Sequence, residues 1–243
     1  MCYNENASMD ANQKERRMEI NGKHKHRNSI REGQRRLIPS GNGEFMYIET
    51  DRLIVRTFCE CDADALYRIK TSPQVVYYCP DLLDVEVKPE ETVNYIRNFR
   101  AYEENGDNDT WRCYAIEHRV TGEVVGCLTF GKSEMLHEYE LGWMMNGEHT
   151  GHGYASEAAA AFAEEFCRIS NVDYLIVIMD VDNPASLRTA ENSGFRLFEK
   201  RTVYDYCYNR YCDDYYYFRR YRSDCTLKQK YYGDVPYTGR SVN

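Results

Sequence analysis

Residues 138–179 constrain the fold of this chain more than any other stretch of its sequence. A predicted strand over 138–145 leads through a glycine-containing turn into a helix over 154–169, whose apolar residues recur on one face. The next run, Tyr174-Leu175-Ile176-Val177-Ile178-Met179, is apolar on both faces of a strand, which predicts a central strand covered on both sides. This order of elements predicts an α/β domain.

The remaining elements follow from shorter patterns. Asn183 is a good N-cap residue and Pro184 fits the first helical position, so a short helix should begin there and end near Gly194. Pro89 favours the first turn of a helix that Gly106 ends. The other predicted elements are a strand at 53–56, a helix over 62–70, a hairpin of 111–117 with 123–130, and further strands from 195 to about 222.

A tyrosine-rich segment stands near the end of this patterned region. Tyr204, Tyr206 and Tyr208 alternate on one strand face, and the aromatic run 215–218 follows two aspartates, so the two segments should pair as a hairpin. We favour packing as the role of these rings, because tyrosine bodies bury well while their hydroxyls stay wet. An aromatic wall for a cationic substrate, through cation–π contact, is the alternative.

The sequence divides into three parts by composition. Residues 1–45 are polar and lack a sustained apolar period, which predicts a disordered leader; residues 46–222 form the predicted domain, and residues 223–243 a loose tail. The first 44 residues hold nine Lys and Arg against six Asp and Glu, which leaves 22 against 33 for the remainder. An acidic body suits cationic partners such as amines and argues against duplex DNA. We interpret the basic stretch of the leader as solvated, with RNA contact as the alternative.

Ten cysteines would suggest disulfides in a small secreted domain, but no signal peptide precedes them. The spacings Cys59-x-Cys61 and Cys207-x4-Cys212 match no common zinc motif, so we expect no metal. We therefore predict reduced thiols and a cytoplasmic location. No apolar run approaches the roughly 18 residues that a membrane helix needs, and no membrane partner is expected.

Gly151 and Gly153 stand at the turn between a strand and a helix. A helix N-terminus offers unpaired backbone N–H groups and the positive end of the helix dipole to an anion. Glycines let the backbone approach a diphosphate without an intervening Cβ, and they permit positive φ. The pattern predicts phosphate binding, and a glycine turn that merely connects two elements is the alternative for an isolated G-x-G.

Four motifs occur in order along the chain: Tyr139-Glu140-Leu141-Gly142-Trp143, Gly151-His152-Gly153-Tyr154-Ala155-Ser156-Glu157-Ala158, Asn183-Pro184-Ala185-Ser186 and Gly194-Phe195. Together they resemble the successive signatures of the GNAT superfamily of N-acetyltransferases. The opening Glu49-Thr50-Asp51-Arg52-Leu53-Ile54-Val55-Arg56 resembles the start of its ribosomal-protein N-acetyltransferase branch, the Rim type. The resemblance spans residues 46–222.

The resemblance implies a mixed, mostly antiparallel central sheet that is flanked by helices and whose two central strands splay apart. Those strands should be Glu138–Met145 and Tyr174–Val181. Acetyl-CoA would be the cosubstrate, with its pantetheine arm along the first strand and its pyrophosphate at the glycine turn. Thr150 occupies a place where the family often has Gln or Arg, so the backbone would hold the phosphate without a side-chain charge. The cofactor-binding residues that the resemblance implies are Leu141, Trp143, Met144, Met145, Gly151, His152, Gly153, Tyr154, Ala155 and Asn183.

Acetyl transfer to nitrogen needs a free amine, whereas amines are mostly protonated near neutrality, with pKa values of about 10.4 for lysine and about 7.7–8.0 for an α-amine. A general base is therefore useful. Glu138 and Glu140 lie two apart on one strand and face the same side. The resemblance points to Glu140 as the base, and a solvated strand face is the alternative. Ala190 stands where many family members have a tyrosine acid, so the branch resemblance makes Ser186 the candidate proton donor.

The resulting prediction is an N-acetyltransferase that transfers an acetyl group from acetyl-CoA to a primary amine. The branch resemblance suggests a protein N-terminal amine as the acceptor. A small-molecule amine, such as a polyamine or an aminoglycoside, is one alternative, and a non-catalytic acyl-CoA-binding regulatory module is another. We expect no nucleic-acid partner, and we keep a homodimer open.

Overall fold

Eight strands form one sheet within the residues that the computed structural model describes, which are 45–79, 88–133, 136–205 and 210–225. They are β1 (Tyr47–Glu49), β2 (Leu53–Thr57), β3 (Arg112–His118), β4 (Val124–Lys132), β5 (Tyr139–Met145), β6 (Tyr174–Asp180), β7 (Arg196–Asp205) and β8 (Arg210–Tyr221). Their order across the sheet is β1-β2-β3-β4-β5-β6-β8-β7. Every neighbouring pair is antiparallel except β5 and β6, which are parallel. The predicted mixed, mostly antiparallel sheet is confirmed.

Five α-helices cover the two faces of this sheet in the described part of the chain. They are α1 (Ala63–Lys70), α2 (Pro73–Tyr78), α3 (Pro89–Glu104), α4 (Tyr154–Ser170) and α5 (Pro184–Asn192). Neighbouring residues of a strand point to opposite faces, so Tyr114 and Leu128 pack with α4 and α5, whereas Ala115 and Cys127 pack with α1, α2 and α3. Each face therefore carries its own apolar core.

The core under α4 is built around aromatic rings. Phe130 of β4 meets Phe162 and Phe166 of α4, with ring centroids 5.2 and 4.4 Å apart. These two phenylalanines lie four residues apart and so share one helix face. Asn171 ends the helix in the left-handed conformation, with φ at +52°, and its N–H donates to the Cys167 carbonyl. The packing fixes α4 on the sheet and thereby holds its N-terminus beside β5.

The two central strands separate soon after they meet. β5 and β6 share one registered pair, Glu140 with Ile176, whereas β4 and β5 are in register from Gly126↔Met145 to Lys132↔Tyr139. Beyond this pair, the backbone groups of β5 on the β6 side have no strand partner. The splay that the family resemblance implied is therefore present.

The predicted helices and strands over 53–70, 88–106, 111–130, 138–181 and 183–222 are confirmed, with small shifts at their ends. Two short elements, β1 and α2, were not predicted. β1 has three residues and depends on its pairing with β2. α2 does carry a local signal, because Ser72 accepts a hydrogen bond from the Val75 N–H and Pro73 occupies the first turn.

One prediction about the cysteines is wrong. Cys59 and Cys61 form a disulfide, with their Cα atoms 5.2 Å apart, so the thiols are not all reduced. The two residues lie at a 3₁₀ turn, Glu60–Asp62, which folds the chain tightly enough for an i, i+2 pair to meet. Cys207 of the second spacing lies outside the described residues.

Several predictions about the chain as a whole stay predictions. Residues 1–44 and 226–243 lie outside the described residues, so the boundaries of the leader, the domain and the tail are untested. Within the described ranges, no helix combines the length and the apolar character that crossing a membrane requires.

Candidate active site

A cavity of about 800 Å³ opens where β5 and β6 separate. Its lining comes from β5, β6, the turn before α4, the start of α5, α2 and Trp111. The predicted site residues that border it are Glu140, Leu141, Trp143, Met144, Met145, Gly151, Gly153, Tyr154, Ala155, Asn183 and Ser186. His152 does not border it, and its ring stacks on Tyr154 with the centroids 5.4 Å apart.

The glycine turn has the geometry that an anion site needs. Gly151 and Gly153 have φ values of +81° and +76°, which a residue with a Cβ rarely adopts. The N–H groups of Gly151, His152 and Gly153 donate to no acceptor in the described residues, and α4 begins at Tyr154 with its first N–H groups unpaired. These donors suit a diphosphate, so the turn fits the pyrophosphate of acetyl-CoA.

Arg52, directly before β2, holds this turn from outside. Its Nε lies 2.7 Å from Glu157 Oε2, its Nη1 donates to the His152 carbonyl at 3.0 Å, and its guanidinium lies 4.8 Å from the Tyr154 ring centroid. The Thr50 hydroxyl donates to Glu157 Oε1 at 2.5 Å. Burial alone would raise the pKa of the Glu157 carboxyl, but the hydrogen bonds from Thr50 and Arg52 hold it below its ordinary value. We call Thr50, Arg52 and Glu157 the turn clamp.

Sequence reasoning missed the turn clamp, because 105 residues separate Arg52 from Glu157. The opening motif contained both Thr50 and Arg52, but nothing local pairs them with α4. The clamp brings a guanidinium to a turn whose residue Thr150 carries no charge.

Asn183 and Ser186 sit at the start of α5. Asn183 Oδ1 accepts from the Ser186 N–H at 3.0 Å, which confirms the predicted N-cap. The Ser186 hydroxyl borders the cavity and has no hydrogen-bond partner among the described residues. Ala190, at the position of the common tyrosine, is fully buried and packs in the core under α4.

The two candidate glutamates have different surroundings. Glu138 accepts from Arg219 Nη2 at 2.8 Å and from the Tyr174 hydroxyl. Glu140 borders the cavity, and its carboxylate has no hydrogen bond or ion pair within the part of the chain that the structure describes. Burial raises the pKa of Glu140 to about 7, so at neutral pH its carboxylate can accept a proton and return it.

The lining of the cavity also contains residues that belong to none of the four sequence motifs. Gln74, Val75 and Tyr78 of α2, and Trp111 before β3, all border it. The Tyr78 hydroxyl donates to the Asp182 carbonyl at 3.1 Å and so joins α2 to the loop after β6.

Of the residues in the segment 77–91 that the structure describes, Tyr78 and Cys79 border the cavity. Residues 80–87 lie outside the described ranges. Tyr77 is 69% exposed and does not border the cavity.

β7 and β8 pair antiparallel as a hairpin, but the predicted pairing of the two tyrosine segments with each other is wrong, because residues 215–218 lie opposite 197–201 and Tyr204 lies opposite Tyr211. Tyr216 packs against the core under α4, and Tyr217 and Phe218 are buried. None of these three borders the cavity, so packing is confirmed as their role. Tyr206 and Tyr208, and the side chains of Tyr204 and Tyr215, lie outside what the structure describes.

Among the described residues, the group of side chains best placed to hold a metal ion is Cys59, Cys61 and Asp62, whose ligand atoms lie within 4.8 Å of one another. The two sulfurs are joined in the disulfide, and Asp62 accepts from Arg56 at 2.7 and 3.0 Å. None of the three borders the cavity. The expectation that the protein uses no metal stays a prediction.

Comparison with known families settles which fold family this architecture represents. The model of the acetyltransferase (GNAT) domain matches residues 52–196, which is more than half of the chain. The chain belongs to the GNAT acetyltransferase family. It is therefore an acetyl-CoA-dependent acyltransferase, and the matched segment includes Arg52 and Glu157 of the turn clamp and the cavity residues from Trp111 to Ser186.

Two relatives and one solved structure place the chain within the family. The uncharacterized N-acetyltransferase YnaD of Bacillus subtilis is 29% identical over 175 residues, covering 71% of this chain and 95% of YnaD. The ribosomal-protein-serine acetyltransferase of Escherichia coli is 29% identical over 76 residues, covering 31% of this chain and 42% of that protein. RimL, described as a ribosomal L7/L12 alpha-N-protein acetyltransferase in complex with coenzyme A, superposes with a TM-score of 0.59 at 19% identity, covering 71% of this chain and 96% of RimL. The predicted membership of the GNAT superfamily is confirmed, and the likeness to ribosomal-protein acetyltransferases is one of sequence over 76 residues and of fold.

Proposed function

We propose that this acetyltransferase transfers the acetyl group of acetyl-CoA to the α-amine of a protein N-terminus, with Glu140 as the general base. The observation that carries the proposal is the Glu140 carboxylate, which borders the cavity with no described partner and has its pKa raised by burial to about 7. An α-amine, with a pKa of about 7.7–8.0, loses its proton to such a base far more readily than a lysine does.

The chemistry moves one acetyl group and one proton. The amine nitrogen attacks the thioester carbonyl, so that a C–N bond forms and the C–S bond breaks. Glu140 accepts the proton that the nitrogen loses, directly or through a water molecule, and releases it later to solvent. The departing thiolate takes a proton from the Ser186 hydroxyl, which solvent replaces. Ser186 suits this role because its hydroxyl borders the same cavity and has no described partner.

The cofactor side is proposed to work mainly through backbone groups. The unpaired edge of β5 beyond Glu140 suits the amides of pantetheine, and the free N–H groups from Gly151 to Gly153 suit the pyrophosphate. The part of the cavity along β5, in which pantetheine would lie, is lined by Leu141, Trp143, Met144 and Met145. Tyr154, Ala155 and Asn183 border its phosphate end, while His152 would contribute its N–H alone.

A protein acceptor is supported by relatives whose names specify ribosomal-protein substrates. The acidic balance outside residues 1–44 suits any cationic acceptor, so the charge alone does not separate a peptide from a polyamine. The cytoplasmic location and the homodimer stay predictions.

An acceptor panel tests the proposal. The full chain is incubated with acetyl-CoA and one acceptor at a time, and turnover is followed by loss of the thioester absorbance and by product mass. The acceptors are serine- and alanine-initiated peptides, the same peptides with a blocked N-terminus and one internal lysine, spermidine and an aminoglycoside.

We expect turnover with the free N-terminal peptides and little with the blocked ones. Faster turnover of spermidine or the aminoglycoside would replace the protein acceptor with a small-molecule one. Binding of acetyl-CoA without turnover of any acceptor would contradict the proposal.

A further inference from the structure

Three neighbouring strands bring Trp111, Gly131 and Glu140 into one row. Gly131 of β4 pairs directly with Glu140 of β5. The register between β3 and β4, in which Arg112 pairs with Phe130, continues by one residue to place Trp111 opposite Gly131. Residues paired across antiparallel strands point to the same face, with Cβ atoms about 4.5–5.5 Å apart. All three residues therefore share the face covered by α1, α2 and α3.

Gly131 is what allows the indole to occupy this row. A Cβ built on Gly131 would lie 2.7 Å from Cγ and Cδ2 of Trp111 and 2.8 Å from its Cα. Contacts this short do not occur between real atoms, so the indole fills the space where the side chain of residue 131 would be. The ring thus lies on the β4 backbone next to the strand position of Glu140, and both residues border the cavity.

We infer that the Trp111 indole, seated on Gly131, forms the wall of the acceptor site beside Glu140 and keeps water away from its carboxylate. This inference rests on the proposed function, because it assigns the Glu140 end of the cavity to the acceptor. Trp111 acts through Glu140, so it is a positioning residue. Trp111 borders the cavity with 39% of the residue accessible, so an incoming amine can pack against its accessible part.

The surroundings of the Glu140 carboxyl are what an uncharged indole wall would produce. Burial is the cause of its raised pKa, and no charged neighbour contributes. Glu138, directly before β5, is engaged by Arg219. The other titratable or charged groups that border the cavity are Tyr78, Cys79, His149, Tyr154, Asp180 and Arg188, and none of them is hydrogen-bonded to Glu140.

Three variants test the wall, and a fourth serves as a control. Trp111→Ala removes the wall, Trp111→Phe keeps an aromatic ring, and Gly131→Ala pushes the indole off its seat. The control is Gly147→Ala, because a Cβ at Gly147 meets nothing within 4 Å. For each, kcat/KM is measured against pH with a peptide acceptor, and the Glu140 carboxyl is titrated by carbon NMR, with Glu140→Gln assigning the signal.

We expect Trp111→Ala to lower the midpoint of the acidic limb by about one pH unit, because water then stabilises the charged carboxylate. It should also raise the acceptor KM about tenfold while leaving acetyl-CoA affinity unchanged. Gly131→Ala should shift both values in the same direction, and Trp111→Phe and Gly147→Ala should stay near the wild type.

An unchanged NMR midpoint in Trp111→Ala or in Gly131→Ala, whichever folds, would overturn the inference. An equal effect of Gly147→Ala would overturn it as well. If the wild type acetylates no amine, the proposed function fails on its own, and the NMR titration still decides whether Trp111 shields Glu140.

Discussion

The side of the cavity that holds the glycine turn is built from short contiguous segments, whereas the side around Glu140 collects single side chains from distant parts of the chain. On the first side, residues 141–145, 149–151 and 153–156 and the start of α5 border the cavity. On the second, α2, Trp111 and Glu140 meet there. The difference follows from what each side binds. Backbone donors for a diphosphate need a continuous stretch of chain, but a wall around an amine needs only side chains that point to one place.

The largest expected effect tests the acceptor side. Glu140→Gln should lower kcat/KM about 10²–10³-fold at neutral pH, because it removes the general base, and it should remove the rise in rate through pH 7. Acetyl-CoA affinity, measured by calorimetry, should not change. The matched control is Glu138→Gln, since the Glu138 carboxylate is engaged by Arg219 and Tyr174. Equal losses in the two variants would break the distinction between the two glutamates.

A smaller effect is expected at the start of α5. Ser186→Ala should lower kcat about ten- to a hundredfold by removing the proton donor. Helix α5 should persist, because the N-cap uses the backbone N–H of Ser186 and not its hydroxyl. Ser186→Thr keeps the hydroxyl and should retain most of the activity. Full activity in the alanine variant, measured at saturating acetyl-CoA, would remove Ser186 from the mechanism.

The buried carboxyl of Glu140 also predicts a pH-dependent stability. In the folded chain, burial raises the pKa of the Glu140 carboxyl to about 7, whereas in the unfolded chain this pKa is about 4.3. The contribution of this carboxyl to the free energy of unfolding is therefore fully present below about pH 4.3 and is lost as the pH rises through about 7. Glu140→Gln avoids this loss and should be more stable than the wild type at pH 8 by about 1–2 kcal/mol, allowing for partial solvent screening.

Urea unfolding at both ends of this pH range measures the effect. Near pH 4 the wild type and Glu140→Gln should be equally stable, because the Glu140 carboxyl of the wild type is then protonated in the folded and in the unfolded chain. Glu138→Gln should instead lose stability at pH 8, since it removes the charged partner of Arg219. A Glu140→Gln variant that is less stable than the wild type at pH 8 would show that the carboxylate has a favourable partner.

The smallest expected effect tests the side of the cavity that we assign to acetyl-CoA. Arg52→Ala should weaken acetyl-CoA binding about five- to tenfold, because the glycine turn loses the hydrogen bond to the His152 carbonyl and the pair with Glu157. The acceptor KM should not change. Arg97→Ala is the matched control, because it removes another exposed pair, with Glu60, away from the cavity. A raised acceptor KM in Arg52→Ala would show that the two sides are not independent.

Most of the secondary structure could be predicted because its signals are local. The N-cap Asn183, the positive-φ glycines of the turn and the apolar face of α4 each depend on residues within a few positions of one another. The contiguous side of the cavity shares this property. Its motif could be recognised before the structure was known, because backbone donors leave a pattern in consecutive residues.

The tertiary structure alone decided the features that join distant segments. These are the turn clamp, the row of Trp111, Gly131 and Glu140, and the engagement of Glu138 by Arg219. The sequence by itself predicted two candidate glutamates two residues apart, but not which of them lacks a side-chain partner among the described residues. That difference depends on desolvation and on hydrogen bonds from other strands, which are set by the sheet register and carry no sign in the local sequence.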